Sequence, residues 1–299
     1  MNSETASSSS PLPCGKICSY EFDSTEEGKY YPLLHKSVNC QNIFHRMAHS
    51  PYPIVTPPPR RPPPTLFKNF TINGQCPISY YSYYDQRSSV KNAMRTLYEA
   101  VIFQKLLELE NISNINTYND RNVVKPLLLK YKYLIQGKRV AVIGTERPWA
   151  EAMLINIGAG EVVTIEYRQL TIEHERVTII TPYDMAERFM SGQAVAFDTV
   201  FTYSSIEHSG LGRYGDPLTP FGDLEASAQV WCMVKPGGHF ILAVPVSDNR
   251  AKCSIVWNAH RVYGDARLKH LTANWRVLDV IRTHDVGRNC ILVLQKTIA

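Results

Sequence analysis

The chain has 299 residues, of which 44% are hydrophobic and 20% are charged, and its formal net charge is +5. This composition is ample for a large buried core in one or two domains. The mild positive charge permits an acidic partner, but no Lys/Arg run of the nucleic-acid-binding type occurs, so no nucleic-acid partner is expected. No apolar run approaches the ~18 residues that a membrane-spanning helix needs, so no membrane partner is expected either.

Cysteine usage and the N-terminus predict a cytoplasmic protein. An odd number of scattered cysteines argues against a disulfide scaffold and favours reduced thiols. The four-residue spacing of Cys14 and Cys18 lacks a matching Cys/His pair, so no metal site is expected. The N-terminus has neither a basic start nor an apolar segment, which excludes a secretory signal. The seven cysteines are Cys14, Cys18, Cys40, Cys76, Cys232, Cys253 and Cys290.

Residues 1–64 are predicted to be a disordered, Ser- and Pro-rich segment. Ser7 to Ser10 form a serine tract, and eight prolines fall within residues 51–64. Proline lacks a backbone donor and favours an extended polyproline II path. The stretch Pro57-Pro-Pro-Arg-Arg-Pro-Pro-Pro64 is therefore interpreted as a stiff spacer, with an SH3- or WW-type partner as the alternative.

Residues 65–137 are predicted to form a helical N-terminal extension. After the tyrosine-rich residues 80–84, Ser88 or Ser89 would cap a helix with an apolar stripe. A polar break follows over residues 111–120, and a second helix is predicted over residues 122–135, with Pro126 in its first turn. The apolar stripe of the first helix comprises Val90, Met94, Leu97, Tyr98, Val101 and Leu106.

Residues 138–299 alternate regularly between strand and helix patterns. Short apolar runs at 139–143, 161–165, 177–180, 197–203 and 238–244 predict buried parallel strands, with helices between them. Residues 261–272 are predicted to be helical, and residues 276–281 and 290–295 to form a final antiparallel pair. The fold class is therefore α/β, with a doubly wound, seven-stranded and mostly parallel sheet of Rossmann-like type.

Polar side chains cluster after the fourth and fifth predicted strands. Ligands of doubly wound sheets bind beyond the carboxyl ends of the strands, near the reversal in strand order. His208 is the first candidate for a general base because imidazole accepts protons at neutral pH, and His260 is the second. Glu207 would orient His208, and Arg213 would bind an acidic or hydroxylated small-molecule substrate. Further substrate-binding candidates are Tyr214, Asp216, Arg261 and Tyr263.

Each candidate also has a structural interpretation. His208 and Glu207 could cap a helix or bridge loops. Arg213 and Arg261 could form ordinary ion pairs, and Tyr214 could simply pack in its loop. An Asp before a proline, as at Asp216, is a common turn pair. Both interpretations stay open at the level of sequence.

Two motifs resemble class I S-adenosylmethionine-dependent methyltransferases. Lys235-Pro-Gly-Gly238 before a strand ending in Pro245 resembles the turn into their fifth strand, and Ser204-Ser-Ile-Glu-His208 resembles a stretch that follows their fourth. The resemblance implies S-adenosylmethionine as cofactor. By the same resemblance, Glu166 would bind the ribose hydroxyls, Asp184 the adenine amino group, and Gly144 the methionine part.

A closer resemblance is to the family called domain of unknown function 268. It rests on Gly144-Thr-Glu-Arg-Pro-Trp-Ala-Glu151, Val163-Thr-Ile-Glu-Tyr167, the long run from Tyr203 to Pro217, and Asn258-Ala-His-Arg-Val-Tyr-Gly264. It covers residues 138 to the end and implies a methyltransferase-like fold. It supplies no reaction.

The first loop departs from the methyltransferase pattern. Val142 stands at the usual acidic position, and Glu146 and Pro148 stand where the second and third glycines would be. Glu146 adds bulk and charge, and Pro148 removes an amide donor. Glu146 is instead expected to face the cofactor's amino group.

The sequence thus predicts a methyltransferase-like protein that O-methylates a small polar or glycan substrate. The alternative is a non-catalytic descendant that acts as a binding or scaffold module, which the altered glycine loop favours. A dinucleotide or nucleotide-sugar enzyme of another Rossmann type is disfavoured because Gly-x-Gly-x-x-Gly is missing.

Overall fold

A computed structural model describes a large part of the chain. Several sequence-based expectations lie outside the described residues: the serine tract at 7–10, Cys14 and Cys18, the helix start at Ser88 or Ser89, and the polar break at 111–120. The described residues are 38, 40–49, 54, 56–87, 96–108, 121–193, 196–249, 251–282 and 289–297.

Helices and strands alternate along most of the described residues. The helices are α1 (Cys40–Ala48), α2 (Phe67–Phe70), α3 (Ala100–Glu108), α4 (Arg121–Lys130), α5 (Trp149–Ile157), α6 (Pro182–Met190), α7 (Gly222–Met233) and α8 (Asp265–Leu271). The strands are β1 (Ile78–Tyr81), β2 (Thr96–Tyr98), β3 (Arg139–Ile143), β4 (Glu161–Ile165), β5 (Leu170–Ile172), β6 (Val177–Ile180), β7 (Phe197–Tyr203), β8 (Val234–Pro245), β9 (Ser254–Trp257), β10 (His260–Val262), β11 (Trp275–Arg282) and β12 (Asn289–Lys296).

The central sheet has seven strands in the order β11-β12-β8-β7-β3-β4-β6. The neighbours from β6 to β8 all pair in parallel. Strand β12 runs antiparallel to both β8 and β11, as expected for the final strand pair. The structure therefore confirms an α/β fold around a mixed sheet.

Each face of the sheet has its own hydrophobic core. Along β3, Val140 and Val142 pack into one core and Ala141 into the other, because successive side chains of a strand point to opposite faces. Helices α4 and α5 cover the first face, and α6 and α7 cover the second. A strand buried on both faces must be apolar throughout, which explains the short continuous apolar runs in the sequence.

Three predicted elements differ from the structure. Residues 261–272, predicted to be one helix, contain the end of β10 and then α8. Leu97 and Tyr98, predicted to be helical, lie in β2, because β2 pairs in parallel with β5. The Lys235-Pro-Gly-Gly238 turn falls within β8, at an irregularity in its pairing with β7. In each case long-range pairing overrides the local pattern.

The N-terminal segment is partly folded, contrary to the prediction of disorder for residues 1–64. Helix α1 buries Ile43 and Phe44 in the core shared with α6 and α7. In the proline-rich stretch, Pro58 and Pro62 are buried, and the Trp257 indole donates a 3.0 Å hydrogen bond to the Pro59 carbonyl. This stretch therefore docks on its own chain, and an SH3- or WW-type partner stays a prediction.

The extension over residues 65–137 is not purely helical. Besides α2, α3 and α4, it contains β1 and β2. Strand β1 joins β9 and β10 in a separate three-stranded sheet. Phe70 packs edge-on against Trp257 of β9, with ring centroids 4.9 Å apart. The extension is thus integrated with the C-terminal half of the chain.

Two disulfides contradict the expectation of reduced cysteines. Cys40 bonds to Cys232 and Cys76 bonds to Cys253, across 192 and 177 residues of sequence. Spacing along the chain gave no sign of these pairs, because the fold brings distant residues together. Disulfides persist mainly in oxidising compartments, which is at odds with the expected cytoplasmic location. None of the described helices is long and apolar enough to span a bilayer.

Removal of the Cys40–Cys232 bond should destabilise the protein. We expect Cys232→Ser to lower the free energy of unfolding by about 2–5 kcal/mol, because the bond closes a very long loop in the unfolded chain. Chemical denaturation of both proteins measures the difference, and peptide mapping without reductant tests the pairing directly. In dithiothreitol the two proteins should become nearly equal; a difference that persists there would contradict the prediction.

Candidate functional site

A cleft opens at the carboxyl ends of β3, β4 and β7, where the strand order reverses. Its cavity volume is about 160 Å³. Loops on the two sides of such a reversal diverge, so ligands of doubly wound sheets bind there. Apolar side chains of α1, including Ile43, Phe44 and Met47, form one wall.

The structure brings together about half of the predicted site residues. The cleft is lined by Gly144, Glu146, Glu166, His208, Tyr214 and Asp216. The remaining candidates, Asp184, Glu207, Arg213, His260, Arg261 and Tyr263, are not among the residues that line it.

Gly144 permits two loops to touch. Its φ is +71°, and a Cβ atom at this position would lie 2.0 Å from the Ser205 hydroxyl oxygen. Any larger residue would therefore separate the loop after β3 from the loop after β7. The space beside Gly144 is filled by the chain itself, whereas Glu146 and the neighbouring Arg147 are exposed and line the cleft.

Glu166 directly follows β4 and is almost completely buried. Its carboxylate accepts hydrogen bonds from the backbone amides of Thr145, at 2.8 Å, and Arg168, at 2.9 Å. Burial raises the pKa of Glu166, while the positive charge of Arg168 opposes the shift. Each carboxylate oxygen still has a lone pair for a further donor. Glu166 is thus fixed in direction and lines the cleft.

Glu151 lies directly behind this cleft and was not predicted as a site residue. It is fully buried in α5 and accepts from the Thr164 hydroxyl at 2.8 Å and the Thr145 hydroxyl at 3.4 Å. Burial raises its pKa to about 7. The available signal was a lone acid within an apolar helical run. Glu151 contacts Thr145, the same threonine whose amide binds Glu166, so it helps to fix the loop that holds Glu166 in place.

Asp184 acts as a helix cap. Its carboxylate accepts from the backbone amide and hydroxyl of Thr181, at 2.8 and 2.7 Å, and the Thr181 hydroxyl accepts from the Asp184 amide. This reciprocal capping box starts α6. The predicted contact with adenine has no support from this position.

Glu207 points into the interior. It accepts a 2.5 Å hydrogen bond from the Ser204 hydroxyl, and its second carboxylate oxygen has no hydrogen-bond partner among the described residues. Burial raises its pKa to about 7. Its distance to His208 Nε2 is 3.8 Å, which is too long for a hydrogen bond. The predicted orienting role therefore falls to another group.

The Ala259 carbonyl orients His208. A carbonyl can only accept, so His208 Nδ1 must donate to it, and Nε2 keeps its lone pair. Burial lowers the pKa of His208 to about 4; the backbone contacts with Ala259 and Ser204 oppose this shift, and the nearby Arg213 charge adds to it. His208 is therefore neutral across the physiological range, and the residue borders the cleft.

Asp216 holds its loop together. Its carboxylate accepts from the backbone amides of Gly210, Gly212 and Tyr214, at 2.6, 3.0 and 3.2 Å. Burial raises its pKa, and these amide contacts oppose the shift. The turn interpretation of Asp216 therefore fits the structure better than the substrate-binding one.

Arg213 and His260 do not line the cleft, but they lie next to Tyr214 and His208, which do. The Arg213 guanidinium stacks between the rings of Tyr84 and Tyr214, 4.5 and 4.8 Å from their centroids. The His260 ring is 6.2 Å from that of His208. Burial lowers the pKa of His260, aided by Arg213. Both groups therefore adjoin the cleft without lining it.

Arg261 and Tyr263 belong to the interior, which contradicts their prediction as substrate-binding residues. Arg261 donates to the carbonyls of Ser209 and Pro220, at 2.5 and 3.2 Å. The Tyr263 hydroxyl donates to Asp223 at 2.9 Å. Arg261 lies in the short strand β10 and Tyr263 directly follows it, both with buried side chains, so a helix at this point was the wrong expectation.

The strand order and the position of the cleft define an α/β domain with a methyltransferase-like fold. The chain belongs to the DUF268 family, described as Caenorhabditis protein of unknown function, whose family model matches residues 137–291. This confirms the family resemblance drawn from the motifs. No curated protein matches the chain in sequence.

Solved structures with a similar fold share little sequence with the chain. The 1,6-didemethyltoxoflavin-N1-methyltransferase of Burkholderia thailandensis, with S-adenosylhomocysteine bound, is 16% identical, with 67% of this chain and 88% of that chain covered and a TM-score of 0.47. The N-methyltransferase NodS of Bradyrhizobium japonicum WM9, in complex with S-adenosylhomocysteine, is 11% identical, with 65% and 96% covered and a TM-score of 0.42. The [4+2]-cyclase SpnF is 13% identical, with 59% and 80% covered and a TM-score of 0.42.

Loss of the Asp216 carboxylate should loosen the loop. We expect Asp216→Asn to cost roughly 2–4 kcal/mol of stability, because an amide cannot accept all the backbone hydrogen bonds that the carboxylate does. Hydrogen exchange should quicken at Gly210 and Gly212. The exposed Glu175→Gln is the control and should leave both measurements unchanged. Unaltered protection in the Asp216 variant would contradict this role.

His208 should make stability depend on pH. Its pKa is about 4 in the folded protein, against an ordinary value near 6.5, so its stabilising effect is complete above pH 6.5 and is lost as the pH falls towards 4. The loss is on the order of 3 kcal/mol. The His208→Gln variant should not show this loss of stability at low pH. The control variant His49→Gln, at an exposed position, should show the same loss as the wild type. Denaturant titrations between pH 7 and 4.5 measure the difference, and parallel curves for wild type and His208→Gln would refute it.

Proposed function

We propose that the protein is an S-adenosylmethionine-dependent methyltransferase that acts on a hydroxyl of a small polar or sugar substrate. The observation that carries the proposal is the pairing of two groups in one cleft. A fixed carboxylate, Glu166, follows the second strand of the central sheet, and a neutral imidazole, His208, follows the fourth. The two groups lie on either side of the point where the strand order reverses. The carboxylate suits the hydroxyls of a nucleoside cofactor, and the imidazole suits removal of a proton from the acceptor hydroxyl.

The residues of the cleft fit the cofactor through side chains rather than through a glycine loop. Glu166 would hold the ribose hydroxyls, and the apolar surfaces of Tyr167 and Met185 would flank the base. The cations Arg147 and Arg168 also line the cleft and would hold the carboxylate of the methionine part. Glu146, exposed beside them, would face its amino group. The bound cofactor would supply an electrophilic methyl group.

His208 would accept the proton of the acceptor hydroxyl. Its Nε2 is unprotonated because Nδ1 donates to Ala259, and burial keeps the ring neutral. A low pKa makes a weak base, but one that stays in its active form as the pH falls. His260, 6.2 Å away, would receive the proton only through an intervening group.

Binding of S-adenosylhomocysteine tests the cofactor assignment. Saturating ligand should raise the unfolding temperature of the full-length protein by roughly 5 °C or more. Glu166→Gln should weaken binding by about tenfold or more in calorimetry, because one acceptor and the charge are lost. The matched control is Glu161→Gln, at the opposite end of the same strand, where the carboxylate pairs with Arg139. It should bind like the wild type.

The unliganded unfolding temperature of each variant shows whether it folds. If Glu166→Gln does not fold, Tyr167→Ala takes its place, since Tyr167 lines the same part of the cleft. No binding heat and no temperature shift with the wild-type protein at millimolar ligand would reject the proposal.

The structure also offers an observation in favour of a non-catalytic binding module. The Thr145 amide, in the loop after β3, is already bonded to Glu166, and Ser205 fills the space beside Gly144. In both cases the loop after β3 makes its contacts with the protein's own residues, at the place where a cofactor would bind in a methyltransferase. Under this alternative, the His208→Gln and Arg213→Gln variants would retain full cellular function, whereas a methyltransferase would lose function in the His208 variant.

A further inference from the structure

A series of stacked tyrosines and arginines extends outward from the cleft. Tyr214 lines the cleft with part of its surface, and Arg213 stacks between it and Tyr84. Arg60 then covers the ring of Tyr83 at 4.3 Å, and Arg61 covers that of Tyr81 at 5.2 Å. We call this the Tyr-Arg surface; its members are Arg60, Arg61, Tyr81, Tyr83, Tyr84, Arg213 and Tyr214.

The proline-rich stretch gives this surface a rigid frame. Arg60 and Arg61 are exposed, while Pro58 and Pro62 on either side of them are buried. The hydrogen bond from Trp257 to the Pro59 carbonyl fixes the stretch between them. Prolines hold an extended path, so the two arginines cannot fold back into the protein. The backbone of the proline-rich stretch, rather than an ion pair of the two arginines, therefore fixes where they lie.

The guanidinium groups keep their donors available. Stacking uses the flat face of a guanidinium and leaves its edge N–H groups directed outward. Arg213 uses only Nε in a side-chain hydrogen bond, to Gln86 at 2.7 Å. Within the described ranges, none of the three arginines forms an ion pair with a carboxylate. Three positive charges therefore stand beside partly exposed aromatic rings.

This combination suits an acidic sugar chain. Guanidinium edges match carboxylate and sulfate groups with paired donors. Tyr81, Tyr83 and Tyr84 expose 44%, 37% and 45% of their surface, enough for a sugar ring to pack on each. Tyr81 ends β1 and Tyr83 lies two residues beyond it, so the two rings are close enough along the chain to contact neighbouring units of one sugar chain.

The geometry points to the Tyr-Arg surface as a binding site for an acidic polysaccharide, a sugar chain that bears carboxylate or sulfate groups. Single-stranded nucleic acid also binds to aromatic and cationic residues. The disulfides favour the polysaccharide, because they indicate an oxidising compartment, where acidic sugar chains are found and nucleic acids are not. The inference is independent of the proposed methyl transfer.

The experiment measures binding of a heparin-derived octasaccharide to the full-length protein by calorimetry. The double variant Arg60→Gln/Arg61→Gln should bind about tenfold or more weakly, because two charge-assisted contacts are lost. The matched control is Arg276→Gln/Arg282→Gln, which removes two exposed arginines from β11 at the far edge of the sheet. It should stay within about twofold of the wild type.

A second variant separates stacking from charge. Tyr83→Leu keeps every cation but removes one ring, and we expect an affinity loss of several-fold with an unchanged unfolding temperature. A neutral dextran octasaccharide should bind far more weakly than the heparin fragment.

Three outcomes would overturn the inference: no binding of the heparin fragment by the wild type, an equal loss in the β11 control, or a twenty-nucleotide oligothymidine that binds as tightly as the heparin fragment. The last result would assign the surface to nucleic acid. Failure to bind S-adenosylhomocysteine would leave the inference intact, so the two proposals fail separately.

Discussion

The buried anchoring of the loop after β7 is the interaction on which the rest of the site depends. Arg261 binds the carbonyls of Ser209 and Pro220 from inside, and Arg267 pairs with the fully buried Asp223 at 2.5 Å. Such buried charges are costly unless paired and hydrogen-bonded, so they hold one loop conformation and disfavour others. The same loop places His208 on the cleft and Arg213 on the outer surface. One set of interior contacts thus positions both candidate functions.

The sequence predicted the parallel core of the sheet well. Strands β3, β4, β6 and β7 have the bounds that the apolar runs indicated, because a strand buried on both faces leaves a continuous apolar run that needs no partner to be recognised. The position of the cleft followed from topology alone, and Glu166 and His208 both line it.

Features that depend on distant parts of the chain could not be predicted. Strand β2 forms only because β5 lies beside it, and the pairing of Cys40 with Cys232 depends on where α1 docks. The sequence also contained no indication of the direction in which individual side chains point. Arg261 and Tyr263 are residue types typical of a substrate-binding rim, but both side chains are buried in the interior. Loop residues near a strand end can face either the ligand or the interior, and only tertiary structure decides between them.

The docking of α1 has a consequence for how the protein is made. This helix forms a wall of the cleft, yet it is covalently tied to α7, which the ribosome delivers nearly two hundred residues later. The nascent chain must therefore keep Phe44 and its apolar neighbours out of wrong contacts while most of the sheet is still unsynthesised. Contacts between such distant segments form slowly. Helix α1 can be tied to α7 only after α7 has been synthesised, so the closed cleft forms only after most of the sheet has been made.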